Sequence, residues 1–178
     1  MTPMTPMTPS FDEWVNSVHL PDDLGPDDSG DLAPGAMEFL REVYTRLDAV
    51  SSDELLAACH ERQMDLARRG IELLLADVRR TTDLPNPKVK LRREDGMLIA
   101  SYKGSYNAPA LRSMTAPEAI CEIAENLRDH IIEDLWAAWP LCPAHQVGLY
   151  AEPIDGRAEW YCRAGQHSVA PVGELRRQ

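Results

Sequence analysis

An α+β fold is predicted for this chain: a three-helix body bearing a β-hairpin, followed by a small β module at the C-terminus. Three observations predict it. Apolar residues recur at helical spacing over 36–50, 52–80 and 116–139. Around Asp95-Gly96 the pattern switches to alternation, the mark of a tight hairpin. After Pro140 the chain offers short strand-like runs between Cys/His pairs.

The first 34 residues stand apart. They hold Asp12, Glu13, Asp22, Asp23, Asp27, Asp28 and Asp31 and no Lys or Arg, within a chain whose net charge is −11. The triplet repeat MTPMTPMTPS favours extended conformations with little to bury. Residues 1–34 are therefore expected to be a disordered acidic tail. Within it Phe11, Trp14, Val15 and Val18 share a helical face, which packs on the chain's own domain or anchors a partner.

The domain proper is expected over 35–139. Its first helix carries Leu40, Val43, Leu47 and Val50 on one stripe. Ser51-Ser-Asp-Glu54 forms a capping box for the second, whose stripe repeats at Cys59, Leu66 and Leu73 and is widened by Leu55, Leu56, Ile71, Leu74, Leu75 and Val78. Cys59 is thus a core residue. His60-Glu61 begins a metalloprotease-like pattern, but Met64 stands where the second histidine belongs.

A two-residue turn at Asp95-Gly96 pairs Glu94 with Met97 and Val89 with Tyr102. Val89, Leu91, Leu98, Ala100 and Tyr102 then face the core. The opposite face carries Lys88, Lys90, Arg92 and Lys103. Such a basic ribbon protects a sheet edge, receives the acidic tail, or follows a phosphate backbone. The acidic net charge disfavours nucleic acid and anionic membrane as partners, so a protein partner is expected.

Thr115-Ala-Pro-Glu118 reads as a second capping box opening the third helix, with Ile120, Ile123, Ala124, Leu127, Ile131 and Leu135 as its stripe. Cys121 lies at the edge of that stripe and is expected in the core. Trp136 and Trp139 add a second apolar face that the C-terminal module should cover. Glu122, Glu125, Asp129 and Glu133 follow an outward, solvated face.

Residues 140–178 form the last unit. Cys142-Pro-Ala-His145 and Cys162-Arg-Ala-Gly-Gln-His167 are two short Cys/His pairs flanking two strand-like runs with an Asp155-Gly156 turn between them. Zinc takes four N/S ligands in a tetrahedron, and two tight turns at the open end of a hairpin can supply them. A disulfide between Cys142 and Cys162 is the competing reading, and it leaves both histidines idle. With neither a charged leader nor an apolar run at the N-terminus, and no membrane-length segment, a cytoplasmic, reducing setting is expected, which favours metal.

The arrangement resembles a zinc ribbon, with CPAH similar to the knuckle turns of that superfamily, although His replaces the second Cys of each pair. The tail also resembles that of uncharacterised actinobacterial proteins ending in C-P-x-H, W-x-C and H. The resemblance implies one structural zinc per chain held by Cys142, His145, Cys162 and His167.

Four ligands leave no open position for a catalytic water, so the metal's expected role is folding. Phosphate-binding, dinucleotide-binding, nucleophile-elbow and zinc-deaminase motifs are absent from the sequence. The functional expectation is a non-enzymatic interaction protein with no catalytic residue assigned. The alternative is an enzyme with a site between the hairpin and the third helix, around Tyr106, Asn107 and His130.

Overall fold

A computed structural model of the chain describes residues 8–21, 24–25, 32–85, 87–105 and 109–177. Its elements run α1 (Phe11–Ser17), α2 (Ala36–Leu47), α3 (Ser52–Thr81), β1 (Val89–Glu94), β2 (Met97–Tyr102), α4 (Ala116–Leu135), β3 (Tyr150–Ile154), β4 (Arg157–Cys162) and β5 (His167–Pro171). The class is α+β, with a two-stranded sheet β1-β2 and a three-stranded antiparallel sheet β3-β4-β5.

The long helix α3 is the spine, about 45 Å from end to end at 1.5 Å per residue. The expected capping box starts it: Ser51 Oγ accepts from the Glu54 N–H, and Glu54 accepts from the Ser51 N–H at 2.9 Å. Helix α4 runs alongside in the same direction. Arg62 reaches the Met114 carbonyl near its start, Gly70 backs onto Ile120 and Ile123, and Thr81 accepts from the Trp139 indole near its end. Gly70 permits the close approach, since a Cβ there would stand 3.1 Å from the Ile123 side chain.

The hairpin forms in the expected register, from Glu94↔Met97 to Val89↔Tyr102. Leu98, Ala100 and Tyr102 are buried, and Val89 and Leu91 pack against the same core. That core also contains Leu74, Val78, Ile123, Leu127, Ile131, Leu149, Trp160, Val172 and Leu175. The helices and the C-terminal sheet thus contribute side chains to one interior.

A second cluster joins α1, α2 and the start of α3 through Trp14, Leu24, Phe39, Leu40, Leu55 and Met114. The described part of the segment 1–34 is folded, not free. Ser10 and Glu13 cap α1 reciprocally, and the buried Trp14 donates its indole N–H to the Val50 carbonyl at 2.7 Å. The helical face of Phe11, Trp14, Val15 and Val18 therefore packs on its own domain. Asp22, Asp23, Asp27, Asp28 and Asp31, which the tail-docking expectation needs, lie outside the described residues.

Four local expectations are corrected. Helix α2 ends at Leu47, which is 55% exposed, because Asp48 turns to positive φ. The buried line of α3 passes through Leu55, Cys59, Gln63, Ala67, Gly70, Leu74 and Asp77, to one side of Leu66 and Leu73. Thr115 makes no side-chain cap, and both Thr115 Oγ1 and Glu118 Oε2 are buried without a partner, since Thr115 packs tightly on Gly35 instead. Helix α4 stops at Leu135, well before Pro140, where Trp136 takes the left-handed conformation and turns into solvent.

Candidate metal centre

Two turns build the centre. The first is closed by Cys142 N–H donating to the Val147 carbonyl and Gln146 N–H to the Cys142 carbonyl, both at 2.8 Å, with Gln146 at φ 53. Leu149 N–H then bonds the Pro140 carbonyl, which fixes the turn to the end of the helical body. The second turn joins β4 to β5, where Cys162 pairs directly with His167 and Gln166 takes φ 50. The hairpin β3-β4 pairs Tyr150 with Tyr161 and turns at Asp155-Gly156, so both Cys/His turns meet at its open end.

The four ligand atoms of Cys142, His145, Cys162 and His167 all lie within 4.8 Å of one another and could hold a metal ion. His145 Nδ1 stands 3.4 Å from both Cys142 Sγ and Cys162 Sγ, and His167 Nε2 stands 3.5 Å from Cys142 Sγ. A tetrahedron with metal–sulfur bonds near 2.3 Å and metal–nitrogen bonds near 2.05 Å has S···N edges of about 3.6 Å. These three separations are compatible with a tetrahedral ion. Both cysteines are fully buried free thiols, His167 is half-buried and His145 is exposed at the rim.

The electrostatics fit thiolate ligation. Burial opposes ionisation of Cys142, but the His145 ring, the backbone N–H groups of His145 and Ala144, and the Cys162 thiol outweigh it. Together they bring the Cys142 thiol down to about 6. Gly165 N–H points at Cys162 Sγ from 3.4 Å. A Cβ at Gly165 would fall 2.2 Å from His145 Cε1 and 2.8 Å from His167 Cδ2, so only glycine lets both rings converge.

Around the Cys/His cluster, a charged ladder ties the sheet to α4. Tyr150 is sandwiched between the guanidinium groups of Arg128 and Arg163, at 4.5 and 4.0 Å. Arg163 pairs with Glu152 at 2.7 Å, and Arg128 with Glu125 at 2.9 Å. Glu125 also accepts from the Ala151 N–H, while burial pushes its carboxyl above the usual range. Glu122 likewise holds the 112–113 loop through two backbone N–H groups and the Ser113 hydroxyl. These two carboxylates are anchors and not part of a solvated face.

The remaining sequence candidates are placed as follows. Cys59 and Cys121 are core residues, and burial pushes the Cys121 thiol up to about 12. Lys88, Lys90 and Arg92 are exposed on the outer face of the hairpin, and Arg92 pairs with Glu94 at 2.7 Å. Lys103 reaches across to Asp134 on α4 at 2.5 Å. Tyr106 and Asn107 lie outside the described residues. His130 stacks on Tyr102, whose hydroxyl donates to Asp134.

Among the described residues no helix is long and apolar enough to cross a membrane. No protein-family model, curated protein or solved structure matches the chain.

Sequence reasoning missed Gly165 and Asp77. The first sits inside the C-x4-H spacing and was legible only as turn composition. The second lies on the buried line of α3, three residues after Leu74 and directly before Val78, which is the one signal available for it.

Proposed function

We propose that the chain is a non-enzymatic interaction protein whose C-terminal, zinc-ribbon-like sheet is held by one structural zinc ion. The ligands are Cys142, His145, Cys162 and His167. The observation that carries the reading is the set of S···N separations, 3.4–3.5 Å, presented by two independent turns. Two thiolates and two imidazoles suit zinc, and with all four corners filled the ion has no free position for a reacting water. Its contribution is to folding.

The partner is a protein in this reading. The net charge of −11 works against a phosphate backbone. Two of the four basic ribbon residues, Arg92 and Lys103, are engaged by carboxylates of the chain itself. Lys88 and Lys90 then serve to protect the β1 edge.

The test is elemental analysis of protein purified without added metal. One zinc per chain is expected, and Cys142→Ser or Cys162→Ser should remove it. Chelation should open residues 141–148 and 162–167 to protease. The strands between them should stay protected, because Leu149, Ala151, Ala158 and Trp160 lie in the shared core. Metal-free protein with both turns resistant to protease would end the proposal.

A further inference from the structure

We propose that the C-terminal end of α4 is a docking site for a protein partner, which inserts an arginine or lysine side chain between the Trp136 ring and the Glu133 carboxylate. It rests on reading the chain as an interaction protein, but not on the metal.

Trp136 is 95% exposed, whereas Trp14, Trp139 and Trp160 are buried. It also sits at φ 51, ψ 31, a left-handed position normally given to glycine. A bulky residue in a disfavoured conformation, making almost no contact with its own fold, has no structural role there. Trp136, Ile132, Ala137 and Ala138 line a shallow apolar groove with Glu133 on its rim.

Charge selects the occupant. The carbonyl end of α4 carries partial negative charge, and its last turn contains no basic residue. The Glu133 side chain is 78% exposed, with His130 Nδ1 3.7 Å away, while Asp129 one turn earlier is already paired with Arg128 at 3.5 Å. Asp134 is already engaged by Lys103 and Tyr102. An aromatic ring and an outward carboxylate lining one groove at a helix C-terminus each favour a cation there. The same field repels nucleic acid, and the net charge of the chain opposes a second copy of itself.

The test uses full-length protein labelled with ¹⁵N. The Trp136 indole N–H resonance is assigned as the one lost in Trp136→Phe. It is followed during titration with a synthetic Gly-Leu-Arg-Leu-Arg-Leu-Gly peptide and with versions carrying Gln or Glu for Arg. The Trp136 resonance should move with the Arg peptide, with affinity roughly tenfold above that of the Gln peptide. Glu133→Gln and added salt should each weaken the response, and the Glu peptide should give none. Because Trp136 is solvent-exposed, Trp136→Ala should keep the fold and lose the binding.

Equal affinity for Arg and Gln peptides would overturn the proposal in favour of a purely apolar groove. Concentration-dependent movement of the resonance without peptide would overturn it in favour of a second copy. No response to any peptide would also overturn it. A natural partner that binds Trp136→Ala undiminished would remove this surface and leave the interaction reading standing.

Discussion

Asp77 on α3 accepts the indole N–H of Trp160 on β4 at 2.8 Å, joining two residues 83 positions apart in the chain. The same carboxylate accepts from the Gly173 N–H at 2.6 Å and the Leu175 N–H at 2.8 Å, with Arg80 3.4 Å away. One buried side chain therefore fastens both β4 and the C-terminal segment to the helical spine. Burial pushes its carboxyl above the ordinary range, against the pull of these donors.

Removing that hub should be expensive. Asp77→Ala leaves three buried N–H groups without an acceptor, and the expected loss is about 3–5 kcal/mol. Asp77→Asn keeps the volume but turns an amide N–H₂ toward donors, so it should fall between alanine and wild type. Equilibrium denaturant unfolding of the three proteins measures this. A loss below 1 kcal/mol for alanine would show that the sheet does not depend on the contact.

Gly165 should limit metal affinity for a steric reason. Its backbone lies outside the left-handed region, so alanine is conformationally allowed, but the added methyl meets the His145 and His167 rings. Gly165→Ala is expected to weaken metal binding about 10–100-fold, the range typical when ligand orientation is disturbed. The rest of the fold should persist. Competition against a chromophoric chelator gives the affinity, and an unchanged value would argue against ligation by these two imidazoles.

The hairpin and the clustering of the two Cys/His pairs were legible because each depends on neighbouring residues. Asp95-Gly96 fixes the register of Val89–Tyr102 by turn geometry alone, and the two Cys/His turns are local motifs joined by one short hairpin. What the sequence concealed depends on distant contacts. Gln63 and Asp77 occupy core positions of α3 that apolar periodicity passes over, because their partners are Leu111, Arg93, Trp160, Gly173 and Leu175. The Thr115 box looks correct in sequence and fails in the fold because Gly35 presses against the threonine methyl. Trp136 fits an apolar stripe on paper, yet α4 ends one residue before it.

The cap of α1 should make that helix sensitive to acid. The Ser10 N–H, and then its hydroxyl, bond Glu13 and hold its carboxyl below the ordinary carboxylate range. Glu13 is thus ionised at lower pH in the folded chain than in the unfolded one. Its contribution is complete above the ordinary range and is lost as pH falls through the depressed value. Acidification should therefore loosen α1 and red-shift Trp14 emission, and Glu13→Ala, which removes the acceptor, should show the loosened state at every pH. An acid transition that persists unchanged in Glu13→Ala would assign it to another group.

Trp136→Gly separates the fold's interest from the partner's. A left-handed conformation costs an L-residue about 1–2 kcal/mol, which glycine escapes. Glycine loses about 0.5–1 kcal/mol of that gain through the greater freedom of its unfolded chain. Trp136→Gly should therefore raise stability by roughly 0.5–1 kcal/mol. Trp136→Ala keeps the strained backbone and removes a ring that is 95% exposed, so it should leave stability near wild type. Denaturant midpoints for the two variants provide the comparison. If alanine destabilises the protein by more than 1 kcal/mol, the indole is supporting its own fold and is not a surface held open for another molecule. If glycine stabilises and alanine is neutral, the tryptophan is retained against the interest of stability, as a recognition residue would be.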